Sequence, residues 1–587
     1  MYRFLTSKSA IGKMQAVVIV VIIVLGLVGV AYYYSNMGPA GPTGITTPAS
    51  TQVQVQYKRT LIIAMPTEPE SLDIQQVNNE FIVHDLIFQN TMNYDANMTI
   101  VPDLAAAAEF NGTVITIHFP HNATFSNGDP ITATALNDSM ARYIRLSPYG
   151  SDYSSVLRVD IVDPYTAQIV MSSPSTYSWY NDIPVVYGAM VDAQAAAQMG
   201  DAAFGRSPVG AGPFKVQEWV QGSQVVLVRN DLYKTNLPFV QNKGPNPYID
   251  QVIIRFIPED LTRISEFQAG TVDIVTDVPI DAVTALQSDP NVNVYEHTTA
   301  GVDFIMMNVL RPPLDDVRVR QALNYAVNRT ELEATMKNTI IPCYSYMSPT
   351  MLAYNPAVET NAESMYAYNP DKAKSLIAEA GWTMGSDGIF YKNNQPLKLT
   401  FLVANDVPDL ERVGPIIQAE LAKVGIQLDL REYTYDYIRQ QTRNWDFDLA
   451  ERAYEWFDPA GILPYLLDSK QSNYTYRNSQ VDDLLEKDFL GALDPAARVD
   501  TYTKMQNILL NDAPWVPLMV EKVYTAARKN VQGLIVLPNA FGSMFLNDTK
   551  ILVSSSMVIS PWIPVTADTN VANARKDTLL ALLSGRV

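Results

Sequence analysis

The stretch SPVGAGPFKVQEW, residues 207–219, places Gly210 and Gly212 in front of an apolar segment, as phosphate-binding loops also do. Such a loop needs glycines that open a helix, or a Gly-Lys-Ser/Thr ending that reaches phosphate and magnesium. Here Pro213 removes a backbone donor, and Lys215 lacks the following Ser or Thr. The stretch therefore predicts a tight turn that leads into a β-hairpin, without a phosphate-binding role.

The residue types that usually carry hydrolysis or metal binding are not grouped along the chain. His118 and His121 form an H-x-x-H pair, but Pro120 lies between them in strand-like sequence, so the helical spacing of a zinc site is lost. Cys343 is the single cysteine, which excludes an internal disulfide and a thiolate cluster. No G-x-S-x-G nucleophile motif occurs. The sequence predicts no catalytic residues, no metal site and no cofactor.

Helix and strand signals alternate through the body of the chain. Residues 369–371, Asn-Pro-Asp, are typical of a helix start, and a second helix is predicted from Leu410 to Val424. Alternating apolar residues at 426–431 predict a strand directly after it. Asp315 is predicted to cap a third helix, and residues 495–510 to form a fourth. Short strands between such helices indicate an α/β or mixed α+β body.

The N-terminus has the composition of a membrane anchor. Residues 16–34, AVVIVVIIVLGLVGVAYYY, carry no charge and are nearly long enough to span a bilayer. Arg3, Lys8 and Lys13 precede this segment, which predicts a cytoplasmic N-terminus and an external body. We therefore predict a cytoplasmic stub and a transmembrane helix within residues 1–35, with a cleaved signal peptide as the alternative.

The composition of the remaining chain fits an exposed location. Residues 36–58 are rich in Gly, Pro, Ser and Thr and predict a flexible linker. The net charge of −19 argues against a nucleic-acid partner, because phosphate binding requires clustered Lys and Arg. Glycosylation sequons, which suit an extracellular glycoprotein, begin at Asn97, Asn111, Asn122, Asn137, Asn328, Asn473 and Asn547.

The stretch VGAGPFKVQEWVQGSQVVLVRNDLY, residues 209–233, resembles the signature of family 5 extracellular solute-binding proteins, the peptide-binding components of ABC transporters. The family pattern is a Gly-Thr-Gly-Pro turn, a hairpin and an Arg-Asn-x-x-Tyr ending, from which Ala211 departs. Further segments are similar and occur in the same order: TEPESLDIQQ (67–76), FSNGDPITATAL (125–136), FQAGTVDIV (267–275), PPLDDVRVRQALNYAVNRTEL (312–332), YNPDKAKSLIAEAGW (368–382), WDFDLAERAYEWFDP (445–459) and RVDTYTKMQNILLNDAPWVPL (498–518).

The resemblance implies the periplasmic-binding-protein type II fold, in which two lobes are joined by crossing strands and close on a ligand. Lobe I would comprise residues 59–300, with an inserted subdomain at about 98–205. The chain would return to lobe I at residues 516–553. Lobe II would comprise residues 301–515. The tail, 554–587, has no assigned role.

The resemblance also implies ligand-binding residues in lobe II. In relatives that bind peptides, a carboxylate shortly before an Asp-Pro pair meets the peptide's amino group, and Glu455 occupies that position. Tyr454 and Trp456 would form the wall of the pocket. Asp458 is either a further ligand residue or a helix cap. Arg452 stands where the family has tryptophan, which leaves the detail of the pocket open.

In lobe I, Asn79 and Glu80 follow the opening strand and either reach the ligand or lie in an exposed turn. The resulting hypothesis is a membrane-anchored receptor, of the kind found on archaeal surfaces, that captures extracellular oligopeptides by hinge closure and delivers them to ABC permease subunits. The same fold binding oligosaccharides or a metal chelate is the alternative. An extracellular hydrolase and a structural surface-layer protein are alternatives of another class.

Overall fold

The computed structural model describes residues 51–77, 81–174, 176, 179–180, 183–184, 189–470, 472, 474–489 and 494–559. The chain divides into two units, one formed by Tyr57–Val553 and the other by the chain ends, Met1–Gln56 and Ser554–Val587. Several predictions lie outside the described residues: the transmembrane segment at 16–34, the linker up to residue 50, the site residues Asn79 and Glu80, the sequon residue Asn473 and the tail from residue 560. No helix among the described residues is both long and apolar enough to cross a membrane.

The helices are short, and most begin at a capping side chain or a proline. They are α1 (Ile82–Ile87), α2 (Ala133–Leu146), α3 (Ala193–Met199), α4 (Asp201–Phe204), α5 (Asp260–Ala269), α6 (Ile280–Ser288), α7 (Val317–Ala326), α8 (Arg329–Thr335), α9 (Pro356–Met365), α10 (Pro370–Glu379), α11 (Pro408–Lys423), α12 (Tyr435–Arg443), α13 (Leu463–Leu467), α14 (Ser479–Phe489) and α15 (Pro495–Asp512). Short 3-10 helices cover Ile74–Gln76, Gly150–Ser155 and Pro459–Gly461.

The strands alternate with these helices. They are β1 (Thr51–Lys58), β2 (Thr60–Met65), β3 (Met92–Tyr94), β4 (Ile100–Pro102), β5 (Ala107–Phe110), β6 (Val114–His118), β7 (Val156–Asp163), β8 (Thr166–Met171), β9 (Phe214–Val220), β10 (Gln224–Arg229), β11 (Gln251–Phe256), β12 (Ile274–Val275), β13 (Val292–Thr298), β14 (Gly301–Met307), β15 (Ile340–Pro342), β16 (Thr383–Met384), β17 (Phe390–Lys392), β18 (Gln395–Pro396), β19 (Lys398–Ala404), β20 (Gln427–Tyr433), β21 (Leu449–Glu455), β22 (Trp515–Arg528), β23 (Val531–Gln532), β24 (Ile535–Val536), β25 (Met544–Phe545) and β26 (Lys550–Ile559).

A long mixed sheet forms the frame of the Tyr57–Val553 unit. Its strand order is β20-β19-β21-β14-β22-β12-β2-β11-β10-β9, and β13 and β15 also pair with β22. A separate four-stranded sheet, β5-β6-β8-β7, lies within the segment predicted as an insertion. Parallel and antiparallel pairs are both present, as β2 runs parallel to β11 and β21 runs antiparallel to β14. The mixed α/β fold predicted from the sequence is therefore confirmed.

Strand β22 crosses from one half of this sheet to the other. Its 14 residues pair first with β14 and β15 and then with β13 and β12. The connection from β13 to β14, through Thr299 and Ala300, crosses at the same place. We call β2 and β9–β13 with residues 522–528 the first half-sheet. The second half-sheet consists of β14, β15 and β19–β21 with residues 515–521.

Each half-sheet has its own hydrophobic core. The first is packed on two clusters, one that includes Ile63, Phe214 and Ile254 and one that includes Phe267, Val283 and Tyr524. The four-stranded sheet and α2 enclose a third cluster, with Ile117, Leu136 and Ile169. The core of the second half-sheet includes Phe304, Leu323, Phe401 and Leu449, all at most 1 % exposed. Separate cores on either side of a strand crossing are what a hinged protein requires.

The predicted helices are present, with one correction at a cap. Asn369 caps α10 as predicted, since its side chain accepts the backbone N–H of Lys372 at 2.9 Å. Asp315, however, does not cap α7. The cap is Asp316, whose carboxylate accepts the N–H of Arg318 at 2.9 Å. The predicted cap lies one residue before the true one because Asp315 and Asp316 are equally suited to cap a helix.

The glycine turn is structural, as predicted. Gly212 donates its N–H to the carbonyl of Ile87, at the end of α1, at 2.9 Å. A Cβ at Gly212 would lie 2.5 Å from the Ile87 carbonyl carbon, so a side chain has no room there. The chain then continues into β9, which pairs antiparallel with β10. The glycines permit close backbone packing ahead of a hairpin.

Candidate functional site

The end of β21 separates the predicted site residues onto opposite faces of the sheet. Tyr454 is buried in the core of the second half-sheet, where its hydroxyl donates to the carbonyl of Tyr346 at 2.5 Å. Glu455, the next residue, is exposed. This alternation follows from the pleat of a strand, in which successive side chains point to opposite faces. Tyr454 therefore packs in the core behind Glu455, and its side chain does not share the face of the strand on which Glu455 lies.

Glu455 and Trp456 are held directly at the strand crossing. Gly301 is the partner of Glu455 in the β14–β21 register, and Trp456 donates its N–H to the carbonyl of Ala300 at 2.9 Å. A Cβ at Gly301 would lie 2.3 Å from the Tyr454 carbonyl oxygen, so only glycine allows this approach. Any relative movement of the half-sheets therefore takes place next to these two side chains.

Glu455 belongs to a group of three acidic residues that come from both half-sheets. Desolvation by the surrounding protein, and then the charges of Glu521 and Asp277, raise the pKa of Glu455 to about 7. Glu521 lies in β22, and Asp277 follows β12. Desolvation likewise raises the pKa of Asp277, although Thr276 donates to its carboxylate at 2.7 Å. Glu455 is thus solvent-accessible, yet the surrounding protein partly desolvates its carboxylate.

No cation offsets the charge of Glu455 in the described part of the chain. The ion pairs found there do not include it, and Lys522, which follows Glu521, lies 3.6 Å from Glu296 instead. A carboxylate in an enclosed site is stabilised strongly by an opposite charge. The electrostatics of this site therefore favour a ligand that carries a positive charge.

Trp456 brings an unused hydrogen-bond donor to the same place. Its indole Nε1 is buried and has no acceptor among the described residues. Its ring makes an edge-on contact with Tyr149, which lies in the segment predicted as an insertion, at a centroid distance of 6.1 Å. Buried polar atoms are nearly always hydrogen-bonded in folded proteins. The indole N–H is thus available to a ligand acceptor beside Glu455.

Asp458 occupies a different environment from Glu455. It is fully buried, and Arg498 donates to its two carboxylate oxygens at 2.5 and 3.2 Å. Its carboxylate also accepts the N–H of Ala460 at 2.9 Å and so caps the short 3-10 helix that follows. These bonds favour the structural role over ligand contact for Asp458.

Arg452, which replaces the family's tryptophan, is also buried and bonded within the second half-sheet. It donates to the Thr442 hydroxyl at 2.7 Å and to the Tyr474 hydroxyl at 3.1 Å. Its guanidinium lies 5.8 Å from the centre of the Tyr435 ring. The bulk of the missing indole is thus replaced by an arginine packed among hydroxyl groups and aromatic rings.

The sequence analysis missed three residues that the fold brings to Glu455 and Trp456, namely Asp277, Glu521 and Tyr149. Their distance along the chain explains this, since no local pattern connects them with residues 455–456. The one usable signal was the segment FQAGTVDIV, just before Asp277, which was recognised as family-like but not as part of the site.

Comparison with known proteins shows to which protein family this chain belongs. The family model for bacterial extracellular solute-binding proteins, family 5 Middle, matches residues 99–474. The chain belongs to this family. Its members are substrate-binding proteins of ABC transporters. Among curated relatives, the probable D,D-dipeptide-binding periplasmic protein DdpA of Escherichia coli K12 is 26% identical over 501 residues, which cover 82% of this chain and 92% of that protein.

Solved structures of this fold superpose on most of the solute-binding protein. The oligopeptide-binding protein AppA of Bacillus subtilis, in complex with a nonapeptide, has a TM-score of 0.68 at 21% identity and covers 85% of this chain and 100% of its own. NikA of Brucella suis, in complex with Fe(III)-EDTA, has a TM-score of 0.71 at 21% identity, and the match covers 86% of this chain and 100% of NikA. At sequence identities this low, the similarity to these two structures shows a shared fold.

Proposed function

We propose that this solute-binding protein captures oligopeptides outside the cell and delivers them to ABC permease subunits, with the peptide's amino group bound by Glu455. Family membership supplies the transporter class. The peptide assignment is supported by the charge of the site and agrees with the dipeptide and nonapeptide ligands in the names of DdpA and AppA.

One observation carries the proposal. Glu455 is an acceptor without a cation, and Trp456 next to it is a donor without an acceptor, within the described residues. The first residue of a peptide presents an ammonium group and, three bonds from its nitrogen, a carbonyl oxygen. The two unmet requirements of the site are therefore met by one end of a peptide chain.

Capture proceeds by closure of two lobes. We assign lobe I to residues 59–300 and 516–553, with the insertion at about 98–205, and lobe II to residues 301–515. The separate cores and the strand crossing beside Glu455 support this division. A ligand that contacts both sides binds the closed form better and shifts the population towards it. The peptide is released chemically unchanged.

The location follows from the N-terminal composition. We propose that residues 16–34 anchor the protein in the membrane, that residues 36–50 of the predicted linker 36–58 act as a tether ahead of β1, and that the binding unit is a glycosylated extracellular domain of an archaeal cell. Asn97, Asn111 and Asn122 are exposed and accessible to glycosylation. Asn547 is buried and donates to the carbonyl of Asn242, so its sequon is not used.

The site is less suited to the alternative ligands. An anionic metal chelate would meet the charges of Glu455, Asp277 and Glu521, and like charges at an enclosed site are repelled. An oligosaccharide would contact Trp456 and Tyr149 but would leave the carboxylate of Glu455 without a counter-charge. These differences separate the alternatives by experiment.

The test compares ligands that differ only at the amino end. The purified full chain is melted with a pool of random pentapeptides, with the same pool after N-acetylation, and with a pool of oligosaccharides. Free peptides should raise the melting temperature, because a ligand at about 100 times its Kd adds about 2.7 kcal/mol to stability. Acetylated peptides should bind at least about tenfold more weakly, a loss of about 1.4 kcal/mol.

Glu455→Gln provides the matched control, since it keeps the shape of the side chain and removes its charge. The variant should bind free and acetylated peptides with similar affinity. Equal binding of both pools by the unaltered protein, or a response to oligosaccharides alone, would refute the peptide proposal.

A further inference from the structure

A small polar cavity, whose lining does not include Glu455 or Trp456, lies between α1, the residue that follows β4 and the segment 543–547 around β25. Its volume is about 40 Å³. Asp85, Gln89, Asp103, Tyr233 and Asn547 are among its lining residues. Several of these side chains present oxygen atoms, and a cavity of about 10–15 Å³ already holds one water molecule. The cavity therefore has room for a small ion together with water.

Two carboxylates in its wall lack a full counter-charge. Asp103 is 3 % exposed and accepts hydrogen bonds from Gln89 and Thr235, both at 2.7 Å, but forms no ion pair within the described residues. The carboxylate of Asp85 has neither an ion pair nor a hydrogen bond there. Lys243 acts electrostatically on Asp103, but its ammonium group donates to the carbonyl of Leu237.

The two carboxylates line the same cavity, and the charge of Asp103 acts on Asp85. Like charges in an enclosed site repel each other unless a cation lies close to both.

The third side chain that offers an oxygen atom to the cavity is a neutral amide, that of Gln89. Gln89 is 4 % exposed, and its amide nitrogen donates to Asp103 and to the carbonyl of Lys234. Because both of these partners are acceptors, the orientation of the amide is settled. Its oxygen, Oε1, is buried and has no hydrogen-bond partner among the described residues. A buried amide oxygen beside two carboxylates requires a donor or a cation.

We propose that this cavity binds one calcium ion through Asp85, Asp103 and the amide oxygen of Gln89. Calcium takes carboxylate and amide oxygens in flexible sets of six to eight ligands, and it accepts water among them. Magnesium demands a near-ideal octahedral arrangement of ligands at about 2.0–2.1 Å, so an irregular set of two carboxylates and one amide oxygen suits calcium better. A water molecule in place of the ion would satisfy Gln89 but would leave both carboxylates without a counter-charge.

The arrangement explains why a metal site was not predicted from the sequence. No group of three or more His, Cys, Asp or Glu residues suited to a metal ion occurs in the described part of the chain. The site has two carboxylates only, 18 residues apart, and depends on an amide oxygen. A bound ion would connect α1 with the segment at 543–547 that returns late in the chain.

The test uses the full chain freed of metal with EGTA and then titrated with CaCl₂, with MgCl₂ and NaCl at matched ionic strength as controls. Calcium should bind with a stoichiometry of one and should raise the melting temperature. At a free concentration of about 100 times Kd, it should shift the unfolding equilibrium about 100-fold towards the folded state. Magnesium and sodium should have much smaller effects.

Asp85→Asn removes one charge with little change of shape, and it should weaken calcium binding by at least about tenfold. In EGTA this variant should be no less stable than the parent, so a folding defect is not expected. Asp231→Asn alters a surface carboxylate, 74% exposed, and should leave calcium binding unchanged. The proposal is overturned if calcium acts no more strongly than magnesium, or if Asp85→Asn binds calcium as tightly as the parent.

Discussion

Arg412 donates to the carboxylate of Asp281 at 2.9 Å, and this contact joins helix α11, which packs on the second half-sheet, to helix α6, which packs on the first. Lys337 contacts the same carboxylate. Both cations lie on one side of the strand crossing and the acid lies on the other. The ion pair therefore exists only while the two sides are close together.

We expect Asp281→Asn to favour the open form. The pair is exposed on both sides, so its contribution is at most about 1 kcal/mol, and the apparent peptide affinity should fall by less than about tenfold. Small-angle scattering of the empty full chain should show a larger radius of gyration. Asp160→Asn, which breaks the exposed pair with Arg158 inside β7, should change neither quantity.

A second prediction concerns the stability of the empty protein. Because folding raises the pKa of Glu455 from 4.5 to about 7, the folded chain binds more protons than the unfolded chain in this interval, and stability falls as the pH rises through it. Glu455→Gln should thus be more stable than the parent at pH 8, by about 1 kcal/mol once the exposure of the side chain is allowed for, and equally stable at pH 4. Urea unfolding at both pH values measures this. Glu432→Gln, at an exposed position, is the control and should show no such difference.

Peptide binding should also release protons. At pH 7 Glu455 is about half protonated, and an ammonium group beside it favours the ionised form, so up to about 0.5 proton should leave per peptide bound. Calorimetry in two buffers of different ionisation enthalpy measures this number. Glu455→Gln should abolish the release. A binding heat that does not depend on the buffer in the unaltered protein would argue against an ammonium at this carboxylate.

The pair formed by Asp458 and Arg498 predicts a structural phenotype. Both side chains are at most 3 % exposed, so Asp458→Asn removes the negative charge that the buried Arg498 guanidinium contacts and should cost about 3–5 kcal/mol of stability. Chemical unfolding measures the loss. Asp500→Asn, which removes an exposed partner of Lys504, should cost less than about 0.5 kcal/mol. An Asp458→Asn variant that is stable but binds peptides weakly would instead place Asp458 among the ligand residues.

The parts of the fold that were predicted correctly depend on contacts between near neighbours in sequence. The glycine turn before β9 and the start of α10 at Asn369 are examples, because the residues that determine them lie within a few positions of one another. The choice between Asp315 and Asp316 as the cap of α7 was wrong, since the geometry of one turn decides between two identical side chains.

The site could be predicted only in part, for a physical reason. The family resemblance pointed to Glu455 and Trp456 through one continuous motif. Asp277, Glu521 and Tyr149 reach the same place through the strand crossing at β22 and through the inserted subdomain. Such long-range neighbours follow from the packing of whole sheets, which no short pattern encodes.

The structure of the full chain with a bound peptide tests the central claim most directly. We predict that the peptide lies between the two half-sheets, with its amino nitrogen about 2.7–2.9 Å from a carboxylate oxygen of Glu455 and its first carbonyl oxygen accepting from Nε1 of Trp456. A bound peptide whose amino nitrogen contacts another residue, or a peptide found outside the cleft, would contradict the account.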